Sequence, residues 1–181
     1  MNDHADAVRL LTEYAPADTR QQALRDEYIA HLRAHEDGTR RECTPDHLTA
    51  SAIVVDPDSG RVLLGLHAKA GLWLQMGGHI EAGDDSIAAA AMREAAEESG
   101  LTSLRLWSDS PLALDRHPAP CSPSARYHLD VQYLVIAPPA CEPVLSPEQV
   151  ELRWCPYEDL AEPTDDAVRR LVSAAREALR G

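Results

Sequence analysis

The sequence predicts an α/β domain with an N-terminal helical extension. Three observations carry that prediction: apolar strand-like runs alternate with two capped helices, 181 residues suffice for one core and not for two, and a charged helical segment precedes the first strand. The extension is expected over residues 1–40 and the main domain over residues 41–181. From Asp18 to His35, Leu24, Tyr28 and Leu32 recur at i, i+4, i+8 among charged residues, the stripe of a surface helix that packs on the domain or forms a homodimer contact. Leu48–Val55 reads as a buried strand, Asp56–Gly60 as a turn and Arg61–Leu66 as the hairpin partner. Gly71–Asp85 reads as a glycine-rich loop around a short apolar piece, Leu72-Trp73-Leu74. Ser86 is placed to cap a helix that Gly100 ends, with Ala88, Ala89, Met92, Ala95 and Ala96 expected on its sheet-facing side. Strands follow at Leu104–Asp115, Tyr127–Ile136 and around Leu152-Arg153-Trp154, and Thr164 is expected to cap a closing helix with the stripe Val168, Leu171, Val172, Ala175 and Leu179.

Composition narrows the function classes. Apolar residues make up 44% and charged residues 26%, which excludes a disordered or collagen-like chain, and aromatics at 4% with no Phe make the core aliphatic. A net charge of -13 argues against a groove that tracks duplex nucleic acid, so an anionic ligand would need a metal or a few placed arginines. The four cysteines form no C-x-x-C pair, and neither a leader peptide nor a membrane span is recognisable, so a soluble cytoplasmic protein with no membrane partner is expected.

One helical face carries chemistry. Glu94, Glu97 and Glu98 stand at i, i+3, i+4, a spacing at which like charges repel by a few tenths of about 1 kcal/mol per pair. A hard divalent cation beside a glycine loop with free carbonyls would neutralise them; a plain acidic surface helix is the alternative that spacing alone leaves open.

The run Gly77-Gly78-His79-Ile80-Glu81-Ala82-Gly83-Asp84-Asp85, followed by Arg93-Glu94-Ala95-Ala96-Glu97-Glu98-Ser99-Gly100-Leu101, resembles the Nudix box of the MutT-like hydrolases, G-x5-E-x7-R-E-U-x-E-E-x-G-U with U aliphatic. The spacing from Gly78 to Arg93 is one residue longer than the pattern, and Asp84 or Asp85 replaces the early Glu. The resemblance implies a Nudix-type α/β/α sandwich with a mixed sheet. It also implies hydrolysis of a phosphoanhydride bond in a nucleoside diphosphate linked to another moiety, with Mg²⁺ or Mn²⁺ as cofactor. By the same resemblance Glu94, Glu97, Glu98 and the Gly77 carbonyl match metal-ligand positions, and Arg93 matches a residue that orients a glutamate. The family often draws a base from a glutamate outside the box. Glu148 is chosen over Glu151 because Glu151 begins a strand.

The remaining polar residues are expected to choose the substrate. His128, Asp130 and Gln132 alternate on one strand and Asp115 and His117 on its hairpin neighbour, giving a polar face that is either open to water or used for binding. His79, His117, His128 and Asp130 are the candidate substrate contacts, and the loop from Pro118 to Ser124 joins them as a specificity element. Trp73 would stack on a base or fill the core. A catalytically silent Nudix-fold module that senses a nucleotide is the competing function. Such modules typically lose box carboxylates, and this chain retains them.

Overall fold

The computed structural model describes residues 3–119, 125–147 and 149–181. Its centre is strand β1 (Asp46–Asp56), buried at every position after the first. The run Ile53-Val54-Val55 is β-branched and apolar on both faces, as a strand covered from two sides requires. Asp56 closes the predicted turn by accepting the backbone N–H groups of Asp58 and Ser59 at 3.2 and 3.3 Å, and β2 (Arg61–His67) returns antiparallel with Val54 opposite Leu63.

The stretch expected as a loop contains two strands, β3 (Trp73–Leu74) and β4 (Met76–His79). Strand β4 pairs antiparallel with β1, Ser51 opposite Gly77 and Ala50 opposite Gly78. Glycine signals a loop by its backbone freedom, but here it serves close approach: a Cβ on Gly77 would lie 2.4 Å from Ser51 Cβ. Helix α3 (Ile87–Ser99) follows, with Ser86 Oγ accepting the Ala89 N–H at 3.0 Å and Gly100 at φ 65°, both as predicted. Its buried arc is Ile87, Ala90, Ala91, Ala95 and Glu98, whereas Ala96 is exposed. The expected alanine face is thus corrected: the helix is rolled toward its glutamates, because Glu98 reaches inward to the backbone of β4.

The predicted strand 104–115 is two strands, β5 (Arg105–Leu106) and β6 (Ala113–Pro118). Between them Asp109-Ser110-Pro111 leaves the sheet, since Pro111 has no N–H to offer a ladder. Both pair antiparallel with β7 (Tyr127–Ile136), which lies parallel to β1 over ten pairs from Asp46↔Tyr127 to Val55↔Ile136. Strand β8 (Gln149–Pro156) pairs with β2 and completes the eight-stranded mixed sheet found among the described residues. Helix α4 (Asp166–Ala178) is capped by Asp165 rather than Thr164, because the Thr164 hydroxyl donates to the Trp73 carbonyl at 2.6 Å instead.

Two helices precede the domain. Helix α2 (Thr19–Ala34) is the predicted one, capped by Asp18, and α1 (Asp3–Glu13) is additional. Both pack on the sheet within the chain: Ala7, Leu11, Tyr14, Tyr28 and Leu32 join the core beneath α3. Gln21 pairs with the edge of β6, accepting the Leu114 N–H at 2.7 Å and donating to its carbonyl at 2.9 Å. That contact satisfies an edge strand that would otherwise recruit another chain. A second core, around Ile53, Val55, Leu134, Val168 and Leu171, lies under α4 on the opposite face. The result is an α/β/α sandwich in which no described helix is long and apolar enough to cross a membrane.

Candidate active site

The site is built where α3 meets β4. Gly78 has no side chain because Glu94 occupies its place: a Cβ there would lie 2.6 Å from Glu94 Oε1. Glu98, 4% exposed, accepts the Gly77 N–H on Oε2 at 3.0 Å, so a backbone donor positions a carboxylate that burial alone would disfavour. Glu97 is the outward member, its side chain 61% exposed.

Arg93 ties the parts together. Its guanidinium donates to both oxygens of Asp84 at 3.0 Å, to Glu94 at 2.9 Å, to Glu97 at 3.1 Å and to the His79 carbonyl at 2.9 Å. One planar fork thereby spaces two glutamates and fixes the end of β4. The hydrogen bonds that Arg93 donates to Asp84 and Glu94 raise its pKa further, despite opposing burial, so the guanidinium stays charged. Burial pushes the Asp84 carboxyl up, but hydrogen bonds from Arg93 and the Glu81 N–H outweigh it and hold the group below its ordinary range. Asp84, and not the exposed Asp85, therefore takes the Arg93 partnership that the sequence left open between them. Gly78 to Asp84 keeps the pattern's spacing, and the extra residue falls between Asp84 and Arg93.

The polar hairpin face is largely covered, not open to water. Asp130, 2% exposed, accepts Thr49 Oγ1 at 3.0 Å, Ser51 Oγ at 2.6 Å and Gln132 Nε2 at 3.1 Å. Asp115, 4% exposed, pairs with Arg20 at 2.6 Å and Arg170 at 3.3 Å. Burial opposes ionisation there, yet His117 and Arg20 hold the Asp115 carboxyl down at about 2. His117 lies 3.7 Å from Asp115, and its pKa is raised because Asp115 and Asp130 outweigh the effect of burial. His79 and His128 are partly buried, and burial lowers them to about 4 and about 3. Beside them stands His47, fully buried, its ring centroid 5.1 Å from that of His79 and 5.0 Å from that of His128. Sequence reading missed His47, although it opens the same alternation as Thr49 and Ser51.

Trp73 is a core residue, 3% exposed under Arg153. Glu151 is a surface residue paired with Arg153, and Glu148 lies outside the described residues, as does the 120–124 part of the predicted specificity loop.

The donor set fits a hard divalent cation. Glu98 and Glu94 stand against the Gly77 and Gly78 backbone, and Glu97, further out, shares Arg93 with Glu94, so the oxygen donors such an ion takes lie along one helix face. A carboxylate helix docked on a Gly-Gly strand in an α/β/α sandwich is the framework of an acid-anhydride hydrolase. The chain belongs to the Nudix family: the family model described as the NUDIX domain matches residues 45–175. It is a Nudix hydrolase of the pyrophosphohydrolase class, in a family whose members are typically dependent on divalent metal.

Similar solved structures include a NUDIX-family hydrolase from Clostridium perfringens, 28% identical, TM-score 0.59, covering 74% of this chain and 96% of that one. An Ap4A hydrolase binary complex from C. elegans is 21% identical, TM-score 0.63, with 74% and 98% covered. The NUDIX domain of Shewanella oneidensis NrtR, complexed with ADP ribose, is 20% identical, TM-score 0.60, with 85% and 97% covered. A search of curated proteins gives no match.

Proposed function

We propose that this chain hydrolyses the pyrophosphate bond of a nucleoside diphosphate linked to another moiety, with Mg²⁺ or Mn²⁺ held by Glu94, Glu97, Glu98 and the Gly77 carbonyl. The observation that carries the reading is the Arg93 fork, which holds Glu94 and Glu97 on one cation while Gly77 holds Glu98. The metal, when bound, neutralises pyrophosphate oxygens and acidifies water. The chain's own residues position and protect. Arg93 holds Glu94 and Glu97 together on one guanidinium, and Asp84 anchors that guanidinium from the loop before the helix. Glu148 is the proposed base. The face bearing His79, His117 and His128 contacts the non-phosphate part of the substrate, with Asp130 acting from beneath through Thr49 and Ser51. Residues 1–40 serve as a helical extension that braces residues 41–181.

The test is a panel of nucleoside diphosphate derivatives incubated with the protein and Mg²⁺ or Mn²⁺, with product analysis. At least one member is cleaved, and Glu98→Gln lowers its turnover by about a hundredfold or more while the fold is retained. Full turnover after exhaustive chelation, or in Glu98→Gln at saturating metal, would overturn the reading.

A further inference from the structure

Three adjacent strands each bring one imidazole to the same place. His47 lies near the start of β1, His79 ends β4 directly opposite Thr49, two residues along β1 from His47, and His128 lies on β7 directly opposite His47. All three share the sheet face of Ile53 and Val55, which α4 covers further along, whereas Gly78 turns toward Glu94 and α3 on the other face. The cluster therefore faces the other side of the sheet from the glutamate set. We propose that His47, His79 and His128 bind one divalent transition-metal ion of the zinc class, with a coordination position left open for an anionic or neutral oxygen. The substrate contact proposed for the His79 and His128 face would be made through that open position.

The first support is His47 itself. His47 is 0% exposed, and the backbone of Cys43 is the hydrogen-bonding group beside its ring, but that contact falls short of a well-formed hydrogen bond at either nitrogen; His79 Nε2 is buried and without a partner among the described residues. Buried polar atoms are nearly always satisfied, and leaving one unmade is costly, so buried nitrogens of His47 and His79 in neighbouring rings ask for a partner that both can share. The second support is geometry. One ring nitrogen from each histidine lies within 4.8 Å of the other two, and the rings are tilted to one another rather than stacked.

A tetrahedral ion with bonds of about 2.0–2.1 Å needs nitrogens about 3.4 Å apart. Metal binding would have to draw the nitrogens in by up to about 1.4 Å, a movement asked of the partly buried His79 and His128 rings rather than of the fully buried His47. The third support is chemistry: neutral imidazole suits zinc, copper and nickel and competes poorly for Mg²⁺, so the two sites would sort metals by softness. Asp130, a carboxylate on this face, is committed to Thr49, Ser51 and Gln132, and His117 is committed to Asp115. Three nitrogen ligands with an open position result, the composition of zinc sites that bind water or substrate.

The inference does not depend on the hydrolytic reading, and its test reads metal binding alone. The full-length protein is stripped with chelator and titrated with Co²⁺, then with Zn²⁺ against a chromophoric chelator. One equivalent of Co²⁺ with the strong visible absorption of a tetrahedral nitrogen site is expected, displaced by Zn²⁺. His79→Ala and His128→Ala each weaken binding by about a hundredfold or more, whereas Glu98→Gln leaves the spectrum in place. His47→Asn behaves alike where it folds, and the two partly buried positions carry the test where it does not. Absence of the tetrahedral band, its persistence in His128→Ala, or its loss in Glu98→Gln alone would overturn the proposal.

Discussion

Adding one methyl group at Gly78 separates catalysis from stability. The Cβ of Gly78→Ala would stand 2.6, 2.8 and 2.9 Å from Oε1, Cδ and Oε2 of Glu94. Relaxed contacts to carbon run at about 3.5 Å, so the carboxylate must retreat by about 1 Å. It is the end of a flexible side chain, so the fold gives way cheaply. The cost is the 2.9 Å bond from Arg93, about 1–2 kcal/mol, offset by about 0.4–1 kcal/mol from the lower entropy of the unfolded alanine chain. Stability therefore changes by about 1 kcal/mol or less, while a displacement of about 1 Å in a positioned group costs about a hundredfold in turnover. Gly77→Ala is the counterpart. Its Cβ would meet Ser51 Cβ at 2.4 Å, Ser51 Cα at 2.8 Å and the Ala50 carbonyl at 3.0 Å, all fixed to the central strand. Strand β4 must then part from β1, at about 3 kcal/mol or more. Urea midpoints and turnover on a cleaved member of the substrate panel, measured for both variants, decide the matter. Wild-type turnover in Gly78→Ala, or wild-type stability in Gly77→Ala, would refute the reasoning.

Arg93→Lys keeps the charge and loses the fork; it is expected to destabilise by about 1–3 kcal/mol and to lower kcat more than it raises KM, since Asp84 and the glutamates are no longer held by one plane. Leu11→Ala, at a position 0% exposed, should cost about 2–5 kcal/mol in urea unfolding; a loss below about 1 kcal/mol would mean that α1 does not stay docked. Acidification should weaken the metal-free protein through His128, held at about 3 by burial and by His117, His47 and His79 nearby. The folded pKa lies below the unfolded value of about 6.5, so the contribution is complete above pH 6.5 and is lost as pH falls toward 3. At pH 5 it amounts to about 2 kcal/mol at most, less for the ring's partial exposure. His117, shifted upward, acts in the opposite sense as pH rises past 6.5. Urea midpoints at pH 7 and pH 5 for the wild type and His128→Asn check this, and an identical pH dependence in the two would contradict it.

Local signals in the sequence located what is locally determined. Ser86 and Gly100 mark the ends of α3 because a cap depends on a few neighbouring atoms, and Ile53-Val54-Val55 marks β1 because its burial is written in side-chain type. What was misread depends on partners distant in sequence. Strand β4 is half glycine, and its extended form comes from the ladder that β1 offers. Thr164 resembles a cap, but Trp73 claims its hydroxyl and passes the role to Asp165. Of the candidate site, the glutamates, Gly77 and Arg93 were legible through motif spacing. The choice of Asp84 over Asp85 required the fork's direction, and the proximity of His47 to His79 and His128 required the parallel register of β1 and β7. Helix α1 carries a stripe legible in its spacing, Ala7, Leu10 and Leu11, which Tyr14 extends just past its end.

Strand β1 is the common datum from which both sides of the site are measured. Box strand β4 takes its alignment from Thr49 to Ala52, and β7 takes its alignment from the same residues, Asp130 opposite Thr49 and Gln132 opposite Ser51. A single inserted residue inside β1 would therefore turn His47, Thr49 and Ser51 to the α3 face and shift Gly77 and Asp130 together. An error made there is inherited by both neighbours at once, and no adjustment within either can correct it. A residue can be added without this penalty only where β1 is not the reference, such as the turn after Asp56 and the stretch between Asp84 and Arg93. The box of this protein has used the second of these for its additional residue without disturbing the partners of Arg93.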